Sequence, residues 1–324
     1  MNKPDIPLIS QSNYSTFSKD SLLRLLKEAY AFDNPDLVYL KRGFNDTYKV
    51  TSGSARFILR IYRYNRRTLE EIRTEVKLLL FLGKHGVSVS LPIPGKDDVF
   101  IHPLPAPEGM RYAVLFSFAE GEMIRKPLPE QCRWAGESLG FMHSSLQSFT
   151  PGPMTWNYAP EILLEFVQSS VHKSLVSFPD AQKCLDSMQS DLLRRLSGFS
   201  FPSGICHGDL QSENFYFQQD HKVCFIDFDF AGYGPFLYDL GAYTWYDHQG
   251  KTPEMLAAFY EGYSSVIPLN REEKELIPLF GGLRALFLMG MWNRFNDGET
   301  NPEWNAEQIA AFVWKVKNWI SKRS

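Results

Sequence analysis

The sequence predicts an α+β chain of two lobes, a small β-rich N-terminal lobe over residues 1–118 and a larger, mainly α-helical lobe over 119–324. Three observations carry this. At 324 residues and 44% apolar content, the chain exceeds what one hydrophobic core usually serves and has the apolar surface to fill two. Short β-favouring runs broken by Gly, Asn and Ser dominate up to Phe118. From Pro129 onward, apolar residues mostly return at helical spacing.

Phe17 to Tyr30 places Leu22, Leu23, Leu25, Leu26 and Tyr30 at helical spacing behind Ser18-Lys19-Asp20-Ser21, which predicts a helix packed on the small lobe. Leu37 to Leu40, Tyr48 to Thr51 and Phe57 to Tyr62 read as an antiparallel meander, punctuated by Gly43-Phe44-Asn45-Asp46 and Ser52-Gly53-Ser54. Thr68 to Leu82 follows as a helix with the stripe Leu69, Ile72, Val76 and Leu79, closed by Gly83 and Gly86. Val99 to His102 and Tyr112 to Phe118 complete the strands of this lobe. Helices are expected over Gln131 to Leu146, Ala159 to Val176, Asp180 to Leu196, Pro253 to Val266, Arg271 to Phe295 and Asn305 to Ser321. Among them, Phe215-Tyr216-Phe217 and Val223 to Ile226 flank the polar turn Gln218-Gln219-Asp220-His221, a hairpin that brings Asn214 and Asp227 to the same end.

A formal net charge of −3 gives no global attraction to nucleic acid or anionic membrane, although Arg60 to Arg67 is locally basic. The four cysteines form no CxxC pair and are expected as buried free thiols in a reducing cytoplasm. The start MNKPDIPLISQSN has no apolar h-region, and no uninterrupted apolar run approaches a membrane span. The expectation is a cytoplasmic monomer or homodimer with neither nucleic acid nor membrane as partner.

The chemistry concentrates in His207-Gly208-Asp209-Leu210-Gln211-Ser212-Glu213-Asn214 and in Asp227-Phe228-Asp229 at the end of the second hairpin strand. Taken singly these are a turn, a cap and a strand-ending acid. As an ordered set they are what phosphoryl transfer from a metal-bound nucleotide needs. One carboxylate takes the proton of the attacking hydroxyl, while a neutral oxygen and a second carboxylate hold Mg²⁺ over the phosphates.

HGDLQSEN followed by IDFDFAGYGPFLYDLGAY at 226–243 resembles the aminoglycoside phosphotransferase and choline kinase superfamily, whose pattern is HGDxxxxN, a strand, IDF[DE] and a later GPxxxDL. The nearest resemblance is to homoserine-kinase-type and stress-response-kinase-like bacterial members. It implies a protein-kinase-like fold, ATP and Mg²⁺ as cofactors, Asp209 as base, Asn214 and Asp227 as metal ligands, and His207 bracing the catalytic loop. A small-molecule hydroxyl acceptor, such as an amino alcohol, an aminosugar or a homoserine-like compound, is implied with it. A bacterial stress-response protein Ser/Thr kinase and a non-catalytic nucleotide-sensing pseudokinase are the alternatives.

The loop Gly43 to Thr47 lies where a kinase covers the phosphates, yet it has neither GxGxxG nor GxxxxGK[ST]. Gly43 permits close backbone approach, and Asn45 and Thr47 offer polar side chains; similar family members carry a G-x-x-N-x-T/x-Y stretch here. Arg60 occupies the slot where a kinase strand presents Lys to phosphates, and is otherwise a solvated arginine at a strand edge. At 100° per residue Glu75 falls on the flank of the helix stripe and can reach inward to Arg60, with Glu71 in reserve. Backbone groups around Ser117 and Phe118, up to Ala119, are candidates for adenine.

Asp229 is open between a second Mg²⁺, a substrate ammonium and a backbone N–H. Tyr233, Tyr243, Trp245, Tyr246, Asp247 and His248 form an aromatic and acidic cluster suited either to the core or to an organic cation, with Trp245 and Asp247 as candidate acceptor contacts. His143 reads as a packed core histidine. Asp239 reads as a helix N-cap, or, by the resemblance, as a brace behind the catalytic loop.

Overall fold

Alternation of burial along three strands decides how the first half of the chain folds. The computed structural model describes residues 14–245, 250–295 and 304–323. They divide into two compact units, Met1–Val76 with Leu91–Phe118, and Lys77–Ser90 with Ala119–Ser324. In the first unit, α1 (Lys19–Tyr30) is capped by Ser18, whose Oγ accepts from Ser21 N at 3.2 Å. Then come β1 (Asp36–Arg42), β2 (Asn45–Ser52), β3 (Ala55–Tyr62), α2 (Leu69–Lys84, whose residues from Lys77 belong to the second unit), β4 (His102–Ala106) and β5 (Gly109–Ser117). The strands form an antiparallel sheet in the order β1-β2-β3-β5-β4.

Successive side chains on a strand point to opposite faces. Tyr48 and Val50 of β2, Leu59 and Ile61 of β3, and Ala113 and Leu115 of β5 therefore share the face that buries against Leu22 and Leu26 of α1. The opposite face carries Asn45 and Thr47, with Thr47 directly across from Arg60. The strand expected at Val99 to His102 begins instead at His102 and runs through two prolines, after a single 3₁₀ turn at Lys96–Asp98. An edge position tolerates this, because Pro donates no ladder hydrogen bond and β4 is the last strand of the sheet.

The second unit is mainly helical: α3 (Pro129–Leu146), β6 (Trp156–Asn157), α4 (Pro160–Leu175), α5 (Pro179–Leu196), β7 (Ser203–Cys206), β8 (Phe215–Phe217), β9 (Val223–Phe225), β10 (Gly232–Pro235), α6 (Leu237–Trp245), α7 (Pro253–Ser264), α8 (Arg271–Phe295) and α9 (Ala306–Ser321). The β8–β9 hairpin and the small sheet β6-β10-β7 are set among these helices. Helix α8 is long and apolar enough to cross a membrane by length and composition, and 83% of its most apolar window is buried inside the protein. Helix α6 lies against it at Gly241, where a Cβ would stand 2.4 Å from the Phe280 carbonyl carbon. That close approach places α6 and α8 together beneath the loop after β7.

Candidate active site

Phe215 pairs with Phe225 at the paired end of the β8–β9 hairpin, and Ile226 N donates to Asn214 O at 3.1 Å. Asn214 and Asp227 thus leave the hairpin at one end. His207 ties the preceding loop to the same point: Nε2–H donates to Ile226 O at 2.9 Å, and Nδ1 accepts from Asp209 N at 3.3 Å. Those two bonds together require the neutral tautomer with the proton on Nε2. Gly208 has φ +82°, and a Cβ there would stand 2.0 Å from Phe230 O, so no other residue makes this turn without a shift.

Asp209 is buried at 6% exposure. Its Oδ2 accepts from Asn214 Nδ2 and from Gln211 Nε2, both at 3.1 Å, and its Oδ1 accepts from Arg284 Nη2 of α8 at 2.5 Å. Asn214 Nδ2 also donates to the Asp209 carbonyl at 2.8 Å, so its amide nitrogen is committed to Asp209 and Oδ1 is the atom suited to a metal. Asp227 holds φ +66° and ψ +62°. For a residue other than glycine, that left-handed conformation costs about 1–3 kcal/mol and persists where the surroundings over-determine it. Amide oxygen and carboxylate are the hard donors that Mg²⁺ takes.

Asp239 is not an N-cap. It lies inside α6, fully buried, where Oδ2 accepts from His207 N at 2.7 Å and Oδ1 from Gly208 N at 2.8 Å. His143 Nε2 lies 2.9 Å from Oδ2, and its Nδ1 is 3.0 Å from Tyr263 Oη, so this histidine is a packed, hydrogen-bonded core residue. His143, Cys206 and Asp239 bring potential ligand atoms within 4.8 Å of one another. Yet Cys206 Sγ donates to the carbonyls of Gly234 and Pro235, and burial pushes its thiol well above the usual range. The trio is a hydrogen-bonded hub behind the loop.

In the first unit Arg60 Nη1 meets Glu75 Oε1 at 2.8 Å, the pair that helical geometry selects. Tyr62 Oη donates to Glu75 Oε2 at 3.0 Å, and Arg67, which sequence reasoning missed, pairs with the same oxygen. Glu71 instead accepts from Thr68 N and Oγ1 at the start of α2. Gly43 O accepts from Arg63 Nη1 at 3.4 Å. Asn45 is buried, which leaves half-buried Thr47 as the more open side chain on the Arg60 face. Asp46, on the other face, is held by fully buried Arg111 at 2.6 Å and accepts from Tyr14 Oη at 2.5 Å.

Ser117 N donates to Leu91 O at 2.7 Å and Ser117 Oγ accepts from Leu91 N at 2.8 Å. The Ser117 N–H is therefore spent on a neighbouring segment. Phe118 lies under the Arg56 guanidinium, 4.3 Å from its ring centroid.

On the acceptor side, Asp229 is buried and its carbonyl accepts from Trp156 Nε1 at 3.1 Å. Trp245 is 3% exposed and packs edge-on against Phe312 and Trp319 of α9, while Tyr243 stacks on Phe259. An aromatic on the inner face of a helix fills the core, and Trp245 has that packing, the first of the two readings the sequence left open. Asp247 lies outside the described residues. Arg284 was not foreseen, although its signal is in the chain: it is the lone charge in the apolar run Leu276 to Trp292.

A two-unit α+β kinase-like chain with this loop falls into a known class. The sequence model of the phosphotransferase enzyme family matches residues 39–276, and the chain belongs to that family. It is 28% identical over 263 residues to a homoserine kinase of Chelativorans sp. (strain BNC1), covering 80% of this chain and 79% of that protein. A microcompartment-associated aminopropanol kinase shares the fold with a TM-score of 0.76 at 21% identity, over 94% of this chain and 98% of the other. An amicoumacin kinase solved with AMP-PNP and Ca²⁺ gives the same TM-score at 19% identity, over 93% and 94% of the two chains. The fold is thus protein-kinase-like, and the chain is a phosphotransferase.

Proposed function

We propose that this phosphotransferase moves the γ-phosphoryl group of ATP to a hydroxyl of a small molecule, with Asp209 as base. The acceptor hydroxyl hydrogen-bonds the Asp209 carboxylate and gives up its proton to it as the hydroxyl oxygen bonds to phosphorus and the bond to ADP breaks. Asn214 Oδ1 and Asp227 would hold Mg²⁺, which when bound offsets charge on the phosphates. His207 keeps Asp209 and Asp227 in one register through its two ring nitrogens. Arg60, oriented by Glu75, would take phosphate oxygens together with the Gly43–Thr47 loop, and the backbone of Phe118 and Ala119 would take adenine.

The observation that carries this reading is the convergence of Asp209, Asn214 and Asp227 on one hairpin end around His207. The relatives support the acceptor class, since their names denote kinases of homoserine, aminopropanol and amicoumacin. AMP-PNP and Ca²⁺ in one of those structures support ATP with a divalent ion. Four free, buried cysteines favour a reducing cytoplasm as the place of action.

An ATP-consumption screen with Mg²⁺ over amino alcohols, aminosugars and hydroxy amino acids tests the reading. At least one acceptor should yield a phosphomonoester, and Asp209→Asn should lower its turnover about 10²-fold while Mg-ATP binding persists. A best acceptor that is a protein serine, or Asp209→Asn turnover equal to wild type, would overturn it.

A further inference from the structure

We infer that Arg284 is the positioning residue of the transfer base, holding the Asp209 carboxylate from a helix outside the loop. The inference rests on the assignment of Asp209 as base. Arg284 is fully buried in α8 and is the lone charge between Leu276 and Trp292. Arginine is seldom fully buried without a partner, and a buried ion pair contributes little more stability than an apolar replacement would. Stability alone therefore gives poor reason for a guanidinium here. Its place gives a better one, because Nη2 meets Asp209 Oδ1 at 2.5 Å while Asn214 and Gln211 hold Oδ2.

The donors act on the two oxygens from different elements, so the carboxylate plane cannot turn without breaking one set. The guanidinium is itself fixed. Its carbon lies 5.5 Å from the ring centroids of both Phe230 and Phe287. Phe287 is one turn further along α8, and Phe230 follows Asp227 by three residues, so Arg284 joins the base to the segment that follows the proposed metal ligand. A planar cation suits two ring faces and a carboxylate better than the compact ammonium of lysine.

Removing the guanidinium should free the carboxylate to rotate away from the acceptor hydroxyl and leave nucleotide binding in place. With the acceptor found by the screen, R284M should lose about 10²-fold in kcat, the scale of a misaligned base, with the KM for ATP within about twofold of wild type. R284K should recover part of the loss. The decisive comparison is D209N against D209N/R284M, which should have the same kcat because both changes act through one carboxylate. A merely structural arginine would lower the double mutant by its own full factor. All seven tryptophans lie in the second unit, so their emission, with Mg-ATP titration, checks folding of each variant.

If R284M fails to fold, R284K carries the same comparison. A folded R284M or R284K with wild-type kcat, or losses that multiply with D209N, would overturn the inference and leave the kinase reading standing. A wild type that phosphorylates nothing in the screen would overturn both.

Discussion

Asp239→Asn is the sharpest test of how the catalytic loop is held. The carboxylate is fully buried and its two oxygens accept from consecutive loop amides, Oδ2 from His207 N at 2.7 Å and Oδ1 from Gly208 N at 2.8 Å. An asparagine fills the same volume with one oxygen and one NH₂. Whichever way the amide turns, one loop N–H loses its acceptor and faces a donor. A hydrogen bond to a charged group contributes about 1.5–3 kcal/mol, and the buried N–H left behind costs about 1–3 kcal/mol. The variant should therefore lose about 3–5 kcal/mol, a large part of a typical folding stability of about 5–15 kcal/mol. Urea unfolding followed by tryptophan emission reads this in the second unit alone, because residues 1–118 contain no tryptophan. Amide exchange at His207 and Gly208 should quicken in the same variant, and kcat should fall with it. A loss below about 1 kcal/mol, or a lower stability with both amides as protected as before, would refute the reasoning.

Glu75→Gln takes from Arg60 and Arg67 their shared carboxylate but leaves the Arg60 guanidinium, and should raise the KM for ATP less than Arg60→Ala, which removes the proposed phosphate contact itself; steady-state kinetics checks the order. Glu71→Ala, which removes the acceptor for Thr68 N and Oγ1, should cost about 0.5–1 kcal/mol of stability and leave that KM unchanged. Gly241→Ala would set a methyl 2.4 Å from the Phe280 carbonyl carbon, and should cost about 1–3 kcal/mol in melting experiments and lower kcat by shifting Arg284 one turn away. Burial holds the His102 imidazole below its ordinary 6.5, so in a window below that value the unfolded chain binds a proton that the folded chain does not. The first unit should lose stability as pH falls from about 6.5 until the folded imidazole protonates too, and His102→Gln should flatten that dependence in calorimetry between about pH 7 and 5.

What the sequence discloses and what it withholds differ in range along the chain. Helix ends were legible because Ser18 and Asn305 cap from the adjacent residue, and Arg271 to Phe295 is a single helix as its composition implies. The Arg60–Glu75 pair was legible because one angle per residue on α2 decides which acid can face inward. Asn214 and Asp227 needed only a hairpin. Arg284 lies 75 residues from Asp209, and Asp239 is 31 from Gly208, so no local period connects them. The aromatic run from Tyr233 left core and acceptor readings both open for the same reason. Composition placed rings near the metal motif, but α9 packing decides that Trp245 faces Phe312 and Trp319. Still, the long-range members leave a trace in the sequence, namely a charge where the pattern calls for none. Arg284 stands alone in seventeen residues from Leu276 to Trp292, and Asp239 is the one charge in the helix Leu237–Trp245. Burial without a partner would be prohibitive for either charge, so each implies a partner somewhere else in the chain. Only topology says which partner it is, and here two helices in contact at Gly241 bring both charges onto the same loop, Asp239 on its backbone and Arg284 on its base.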